Sequence, residues 1–292
     1  MYDTIIIGGG PAGLTSAIYL RRANKKVLVL ESNVCGGQIV NAKDVENYPG
    51  YSHISGFDLS ENMRNQVLDL GAEIKYETVL KVDEDKKVYT ANNIYDAKSI
   101  IIAIGSKNRK LMIDNEDKFT GRGISYCATC DGNFYKNKDV AVIGGGDTAL
   151  DDILYLSDIA NHVYGIVRKN SYKGESKEFE EIKAKENVTI YYNSEVTELI
   201  GNDTLEKIKI NNEKEINVSG VFIAIGQEPN NMMFKNVVDL DEKGYIITVD
   251  EVKTKTKGIY VAGDAREKTL RQLTTATSDG ALAATYAIKE ME

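Results

Sequence analysis

Proline and cysteine are scarce: the 292-residue chain has three of each. So few prolines leave no Pro-rich linker, and no low-complexity segment divides the chain. Three cysteines are too few for the disulfide framework of a secreted scaffold and fit a reducing compartment, so a cytoplasmic location is expected. No apolar run reaches the ~20 residues of a membrane span, and Met1 leads straight into a strand-like run without a signal-peptide apolar core. Positive charge is in deficit: 36 Lys and Arg against 44 Asp and Glu give a net charge of −8 and a pI near 5.1. That balance argues against general nucleic-acid binding. The remainder, 42% apolar and 27% charged, is the composition of a globular protein, at a length that suits two domains.

Two of the three cysteines lie together in Cys127-Ala128-Thr129-Cys130, followed by Asp131. Cysteines two residues apart can close a small disulfide ring, and one thiol of such a motif commonly has a lowered pKa. The thiolate is the species that attacks a partner disulfide, and a neighbouring carboxylate can handle the proton. Half a zinc site is the competing reading, but zinc needs four ligands. Only Cys35, His53 and His162 remain to supply them, at no ligand-pair spacing, so no metal is expected. Inert buried thiols are the other alternative; Gly121, Gly123 and Gly132 around the pair favour irregular, accessible backbone instead. Cys35 reads as a packing residue.

Glycines carry the next signal. Gly8-Gly9-Gly10-Pro11-Ala12-Gly13 follows the apolar run Thr4-Ile5-Ile6-Ile7, the pattern of a buried strand turning sharply into a helix. Gly8 makes the turn, Gly10 lets backbone approach a pyrophosphate, and Gly13 allows close helix–strand packing. The helix N-terminus then favours the phosphates. A second strand, Lys26-Val27-Leu28-Val29-Leu30, ends at Glu31, 21 residues after Gly10, where a carboxylate can bind an adenosine ribose hydroxyl.

The pattern repeats. Val140-Ala141-Val142-Ile143 leads into Gly144-Gly145-Gly146-Asp147-Thr148-Ala149, with Ala149 as the accepted variant of the third glycine. The same count from Gly146 reaches Val167, followed by Arg168 and Lys169, with Lys173 beyond. A carboxylate suits a free ribose and cations suit a 2′-phosphate, so the first site reads as FAD and the second as NADPH. A solvated basic turn is the plainer reading of the second.

The chain is organised as a duplication. Ile100 to Gly105 closes the first nucleotide unit, and Val221 to Gly226 closes the second with nearly the same sequence. Gly258 to Asp264 is a further buried strand, whose terminal Gly263-Asp264 offers an acid to a sugar hydroxyl. The Lys- and Glu-rich stretch from 171 to 185 reads as a solvated helix with i,i+4 pairs. The stretch from Val252 to a last apolar helix at 281–288 reads as a continuation of the first domain. The expected fold is therefore α/β, with two Rossmann-like dinucleotide-binding domains, the second inserted into the first. The expected boundaries are 1–114 and 243–292 for the FAD-binding domain and 115–242 for the NADPH-binding domain that carries the Cys pair.

With these segments in hand, the chain resembles the bacterial low-molecular-weight thioredoxin reductases end to end. The matching segments are Gly8–Gly13, Gly36-Gly37-Gln38, Glu46-Asn47-Tyr48-Pro49-Gly50, Ser125–Gly132, Gly144–Ala149 and Ala262–Asp264. Arg271-Gln272-Leu273 falls where that family closes over its flavin. Larger disulfide reductases carry their Cys pair near the N-terminus and a C-terminal catalytic His; here both histidines lie elsewhere. The resemblance implies FAD, NADPH, a homodimer and a swing of the inserted domain. It also implies that reduced flavin meets the disulfide through Cys130, that Cys127 attacks thioredoxin, and that Asp131 manages the protons. One segment departs from the family: where it carries His-Arg-Arg and a further Arg, this chain has Val167-Arg168-Lys169 and Lys173. Two guanidinium forks become point charges. Ferredoxin or NADH as donor, a dithiol oxidase using oxygen, and a flavin-bearing redox sensor stand as alternatives.

Overall fold

The computed structural model describes residues 1–42, 44–172 and 177–292. The chain opens with β1 (Tyr2–Ile7), α1 (Pro11–Arg22), β2 (Val27–Glu31), α2 (Gly56–Asp69) and β3 (Glu73–Tyr76). A meander follows: β4 (Val79–Val82), β5 (Lys87–Thr90) and the long β6 (Ile94–Ile102). A two-residue strand, β7 (Lys107–Asn108), leads on to α3 (Glu116–Phe119), β8 (Ile124–Ser125) and α4 (Ala128–Asp131). Next come β9 (Asp139–Ile143), α5 (Asp147–Ser157), β10 (His162–Ile166), α6 (Lys177–Lys183) and β11 (Val188–Tyr191). A second meander, β12 (Val196–Gly201), β13 (Leu205–Ile210) and β14 (Lys214–Asn217), precedes β15 (Gly220–Ile223). The chain ends with β16 (Gln227–Glu228), which pairs with β7, then β17 (Ile259–Val261) and α7 (Leu273–Met291).

Two compact units result: Met1–Lys107 with Glu228–Glu292, and Asn108–Gln227. In the first, β3, β2, β1, β6 and β17 form a parallel sheet. The long β6 serves twice, its first half pairing antiparallel with β5 and its last three residues parallel with β17. In the second unit β11, β10, β9, β15 and β8 run parallel in the corresponding order. The doubly wound arrangement explains the unbroken apolar strands. Ile6 and Val29 face one buried cluster with α1 and α7, while Ile5, Ile7, Leu28 and Leu30 face another with the meander.

Two expectations need correction. The units meet at 107/108 and 227/228, not at 114/115 and 242/243. Phe234, Val237 and Val238 pack into the core of the first unit, while Leu111 and Ile113 pack against that of the second. The last helix starts at Leu273 rather than 281. Thr and Ser are weak helix formers, but a reciprocal cap between Gln272 and Thr275 starts this helix. Packing then holds it: Gly280 lies on the Ala12 carbonyl, and Ser16 Oγ donates to the Gly280 carbonyl at 2.9 Å. Of the expected charged helix over 171–185, the structure describes α6, where Lys183 pairs with Glu180 at 2.7 Å and lies over the Phe179 ring; residues 173–176 lie outside the described residues.

Candidate active site and dinucleotide cradles

The two glycine turns are built alike, and each glycine does a different job. A Cβ on Gly8 would run into the Ala103 carbonyl, and one on Gly144 into the Ala224 carbonyl. A Cβ on Gly13 would strike the Gly8 carbonyl, so α1 lies as close to its strand as backbone allows. Around Gly10 there is room: a Cβ would meet only Gly37 Cα, at 4.0 Å. Around Gly146 it would meet nothing within 4 Å. These open positions cap α1 and α5, where unpaired N–H groups and the helix dipole favour an anion. Pro11 occupies the first turn of α1, where its missing N–H costs nothing.

Glu31 closes the first turn. Its Oε2 accepts the Gly9 N–H at 2.6 Å and its Oε1 the Asn33 N–H at 2.9 Å. Gly37, with positive φ, lies against Gly10 and Pro11; Gly105 also has positive φ, and Gln38 Nε2 donates to the carbonyl of the next residue, Ser106, at 2.6 Å. Gly263, at the end of β17, packs on Ala12, so Asp264 lies beside the start of α1. Asp264 Oδ1 is buried without a hydrogen-bond partner. Burial pushes this carboxyl up, while Lys268 and Arg271 pull it back down. An orphaned buried acceptor beside a helix N-terminus lined by bare glycines fits a ligand with phosphate and hydroxyl groups. Arg271 stacks on Tyr245, 4.3 Å from the ring centre, and donates to the Lys268 carbonyl. Asn47 donates to Gln272 Oε1 at 3.2 Å, and Leu273 packs with Val45 and Leu59.

In the second unit the dinucleotide turn has the same frame but another rim. Asp147 and Thr148 are exposed in the first turn of α5, and Ala149 is buried. Arg168 is 78% exposed, and its Nε lies 3.9 Å from Glu195. Lys169 is exposed, its carbonyl accepting the Asn193 N–H. Lys173 lies outside the described residues.

Cys127 and Cys130 form a disulfide across the first turn of α4, with Cα atoms 5.3 Å apart. Ser125 ties the motif together: its Oγ donates to Asp131 Oδ2 at 2.6 Å and accepts the Cys127 N–H at 3.0 Å. Burial raises the Asp131 carboxyl above the ordinary carboxylate range, opposed by the Ser125 hydrogen bond. Tyr135 is pushed up to about 12, by burial first and by Asp131 second. Cys35, in contrast, is a free thiol buried in the core of the first unit.

A disulfide bonded across a helix turn, a shielded carboxyl behind it and two phosphate-ready glycine turns together define a redox enzyme. The pyridine nucleotide-disulphide oxidoreductase family model matches residues 2–280. The chain belongs to this family. Among its relatives, a thioredoxin reductase of Borreliella burgdorferi is 44% identical, over 96% of this chain and 89% of that protein. The Bacillus subtilis thioredoxin reductase is 41% identical, over 97% and 93% respectively. The crystal structure of thioredoxin reductase from Streptococcus pyogenes superposes with a TM-score of 0.94 at 39% identity, covering 100% of this chain and 99% of that one.

Within this pyridine nucleotide-disulphide oxidoreductase, the structure adds residues that motif reading passed over. Gly226 mirrors Gly105, with positive φ and nothing within 4 Å of a Cβ; the repeated Ala-Ile-Gly was its visible signal. Ser125 and Tyr135 flank Asp131 without any spacing to announce them. Glu195 comes beside Arg168 where the Ser194 N–H bonds to the Val167 carbonyl at 3.0 Å and the Asn193 N–H to that of Lys169.

Proposed function

We propose that this chain is an NADPH-dependent thioredoxin-disulfide reductase with FAD as its cofactor. The observation that carries the reading is the Cys127–Cys130 disulfide with Asp131 hydrogen-bonded behind it, in a chain that repeats the dinucleotide turn. FAD, when bound, supplies the two-electron chemistry between a nicotinamide and a disulfide. Gly8, Gly10, Pro11, Ala12 and Gly13 receive its pyrophosphate, Glu31 its adenosine ribose and Asp264 its sugar-alcohol chain. Gly37, Gln38, Asn47, Gly105 and Arg271–Leu273 complete the rim. Gly144, Gly146, Asp147, Thr148 and Ala149 receive NADPH, with Arg168, Lys169 and Lys173 as the cations for its 2′-phosphate.

Once the pair is reduced, the Cys127 thiolate attacks a sulfur of the thioredoxin disulfide and expels the other as a thiol. Cys130 then displaces the reduced thioredoxin and re-forms the Cys127–Cys130 bond. Two electrons pass from the pair to the substrate. Asp131, whose carboxyl is raised by burial, can return a proton to the leaving sulfur. The family resemblance also supports a homodimer acting in the cytoplasm.

The test is anaerobic mixing of purified holoenzyme with NADPH, NADH or reduced ferredoxin while flavin absorbance is followed, then addition of oxidised thioredoxin. NADPH should bleach the flavin and thioredoxin should restore it. Cys127→Ser and Cys130→Ser should keep the first step and lose the second. Flavin bleached only by ferredoxin or NADH would replace the donor, and thioredoxin turnover by either Cys variant would remove the disulfide from the reaction.

A further inference from the structure

Two carboxylates and three cations crowd the turn after β17, and the contacts between them are uneven. Asp279, buried on α7, accepts the Gly263 N–H at 3.1 Å, Lys268 Nζ at 2.8 Å and Arg266 Nη1 at 3.5 Å. The Lys268 and Asp279 side chains are only 8% and 10% exposed. Asp264 follows Gly263 directly, yet its Oδ1 is buried and takes no donor at all. Lys268 and Arg271 are close enough to act on it electrostatically. A buried ammonium deprived of its counter-ion turns to whatever anion it can reach. Without Asp279, Lys268 would turn toward Asp264, the neighbouring carboxylate on which its charge already acts and whose Oδ1 has no donor.

We infer that Asp279 is a positioning residue that holds Lys268 away from Asp264, keeping Asp264 Oδ1 open to a hydroxyl of a polyol chain. The inference rests on the proposed function, in which that polyol is the sugar-alcohol chain of FAD. It assigns Lys268 a defined place as well. Its hydrogen-bonding protons are directed to Asp279. Arg266, with Nε also buried and unpartnered, shares the same carboxylate.

The experiment is titration of apoprotein with FAD, read by flavin fluorescence and by the thermal midpoint of each apoprotein. Asp279→Asn should weaken FAD affinity about tenfold or more, the cost of occupying a charged acceptor. Adding Lys268→Met to Asp279→Asn should recover most of that loss, although the Gly263 contact is still changed. Lys268→Met alone, which spares Asp279, serves as the folded control and should bind FAD within a few-fold of the parent. Asp264→Asn should weaken binding in every background. A double variant as weak as Asp279→Asn alone would overturn the inference, reducing Asp279 to an anchor for the Gly263 amide. Asp279→Asn with parental affinity would overturn it too. A parent protein that binds no FAD would instead bring down the functional reading itself.

Discussion

Ser125 donates to Oδ2 of Asp131 at 2.6 Å while its oxygen receives the Cys127 N–H, so one hydroxyl sets the carboxyl against the disulfide. Asp131→Asn should slow single-turnover reduction of thioredoxin by about a hundredfold, the range of general acid–base catalysis, and leave flavin reduction by NADPH unchanged. On the proposed function the protonated carboxyl is the working acid, so the rate should fall as pH rises through its elevated pKa. Ser125→Ala removes the bond that lowers that pKa and should move the fall to higher pH; Ser125→Thr should restore it. A pH profile of the thiol–disulfide step checks both, and a profile unmoved by Ser125→Ala would refute the role of the hydroxyl.

Gly10 and Gly13 should fail in opposite ways. Gly13→Ala places a methyl against the Gly8 carbonyl and should destabilise the first unit by a few kcal/mol. Gly10→Ala has room in the protein and normal φ, so the fold should survive while the cradle is partly filled. The measurement is thermal melting beside FAD content. Gly10→Ala that retains full flavin would argue that no pyrophosphate lies there.

On the proposed function, the rim of the second turn governs the donor. Arg168→Ala should raise the NADPH KM about five- to tenfold, at the lower end for a charge-assisted bond because the side chain is exposed. NADH should be indifferent. Glu195 lies near the same guanidinium, so Glu195→Gln should tighten NADPH a few-fold at low salt, an effect that added salt erases. Equal changes for both nucleotides would show that Arg168 meets no 2′-phosphate.

Asp152 on α5 gives a stability prediction. Burial first, and Asp151 second, raise its pKa from 3.8 to about 7. The folded state therefore binds this proton more tightly than the unfolded chain. The resulting stabilisation is complete below pH 3.8 and is lost as pH rises through about 7. Three pKa units set a ceiling of ~4 kcal/mol, and relaxation of the site leaves about 1–2 kcal/mol. Asp152→Asn should match the parent near pH 4 and exceed it by that margin at pH 8 in denaturant melts. A difference independent of pH would exclude the carboxyl as its source.

Much of this molecule was readable because glycine spacing encodes backbone approach directly. Counting from Gly10 to Glu31 and from Gly146 to Val167 lands on equivalent places: Leu30 pairs with Ile7, and Ile166 with Ile143, one residue earlier. Gly9 faces Glu31 where Gly145 faces Val167. What stayed hidden depends on tertiary contact. Residues 228–242 carry no periodic signal, and their place in the first unit follows from Phe234 and Val238 finding its core. Asp279 lies in a run of Thr, Ser and Ala that says nothing of the lysine it holds. Ser125 reads as an ordinary strand residue until Asp131, one turn after Cys127, comes back to it.

The β7–β16 ribbon is where the chain leaves the first unit and returns to it, and that has a bearing on synthesis. Every strand and core residue of the second unit lies between Asn108 and Gln227, so that unit is complete in sequence as soon as Gln227 has emerged. The first unit must wait: β6 lacks its partner β17, and α1 lacks α7, until the end of the chain arrives. Domains generally fold as units in the order they emerge. Here the later-starting unit is finished first, and the half-built first unit carries the exposed edge of β6 for the whole interval.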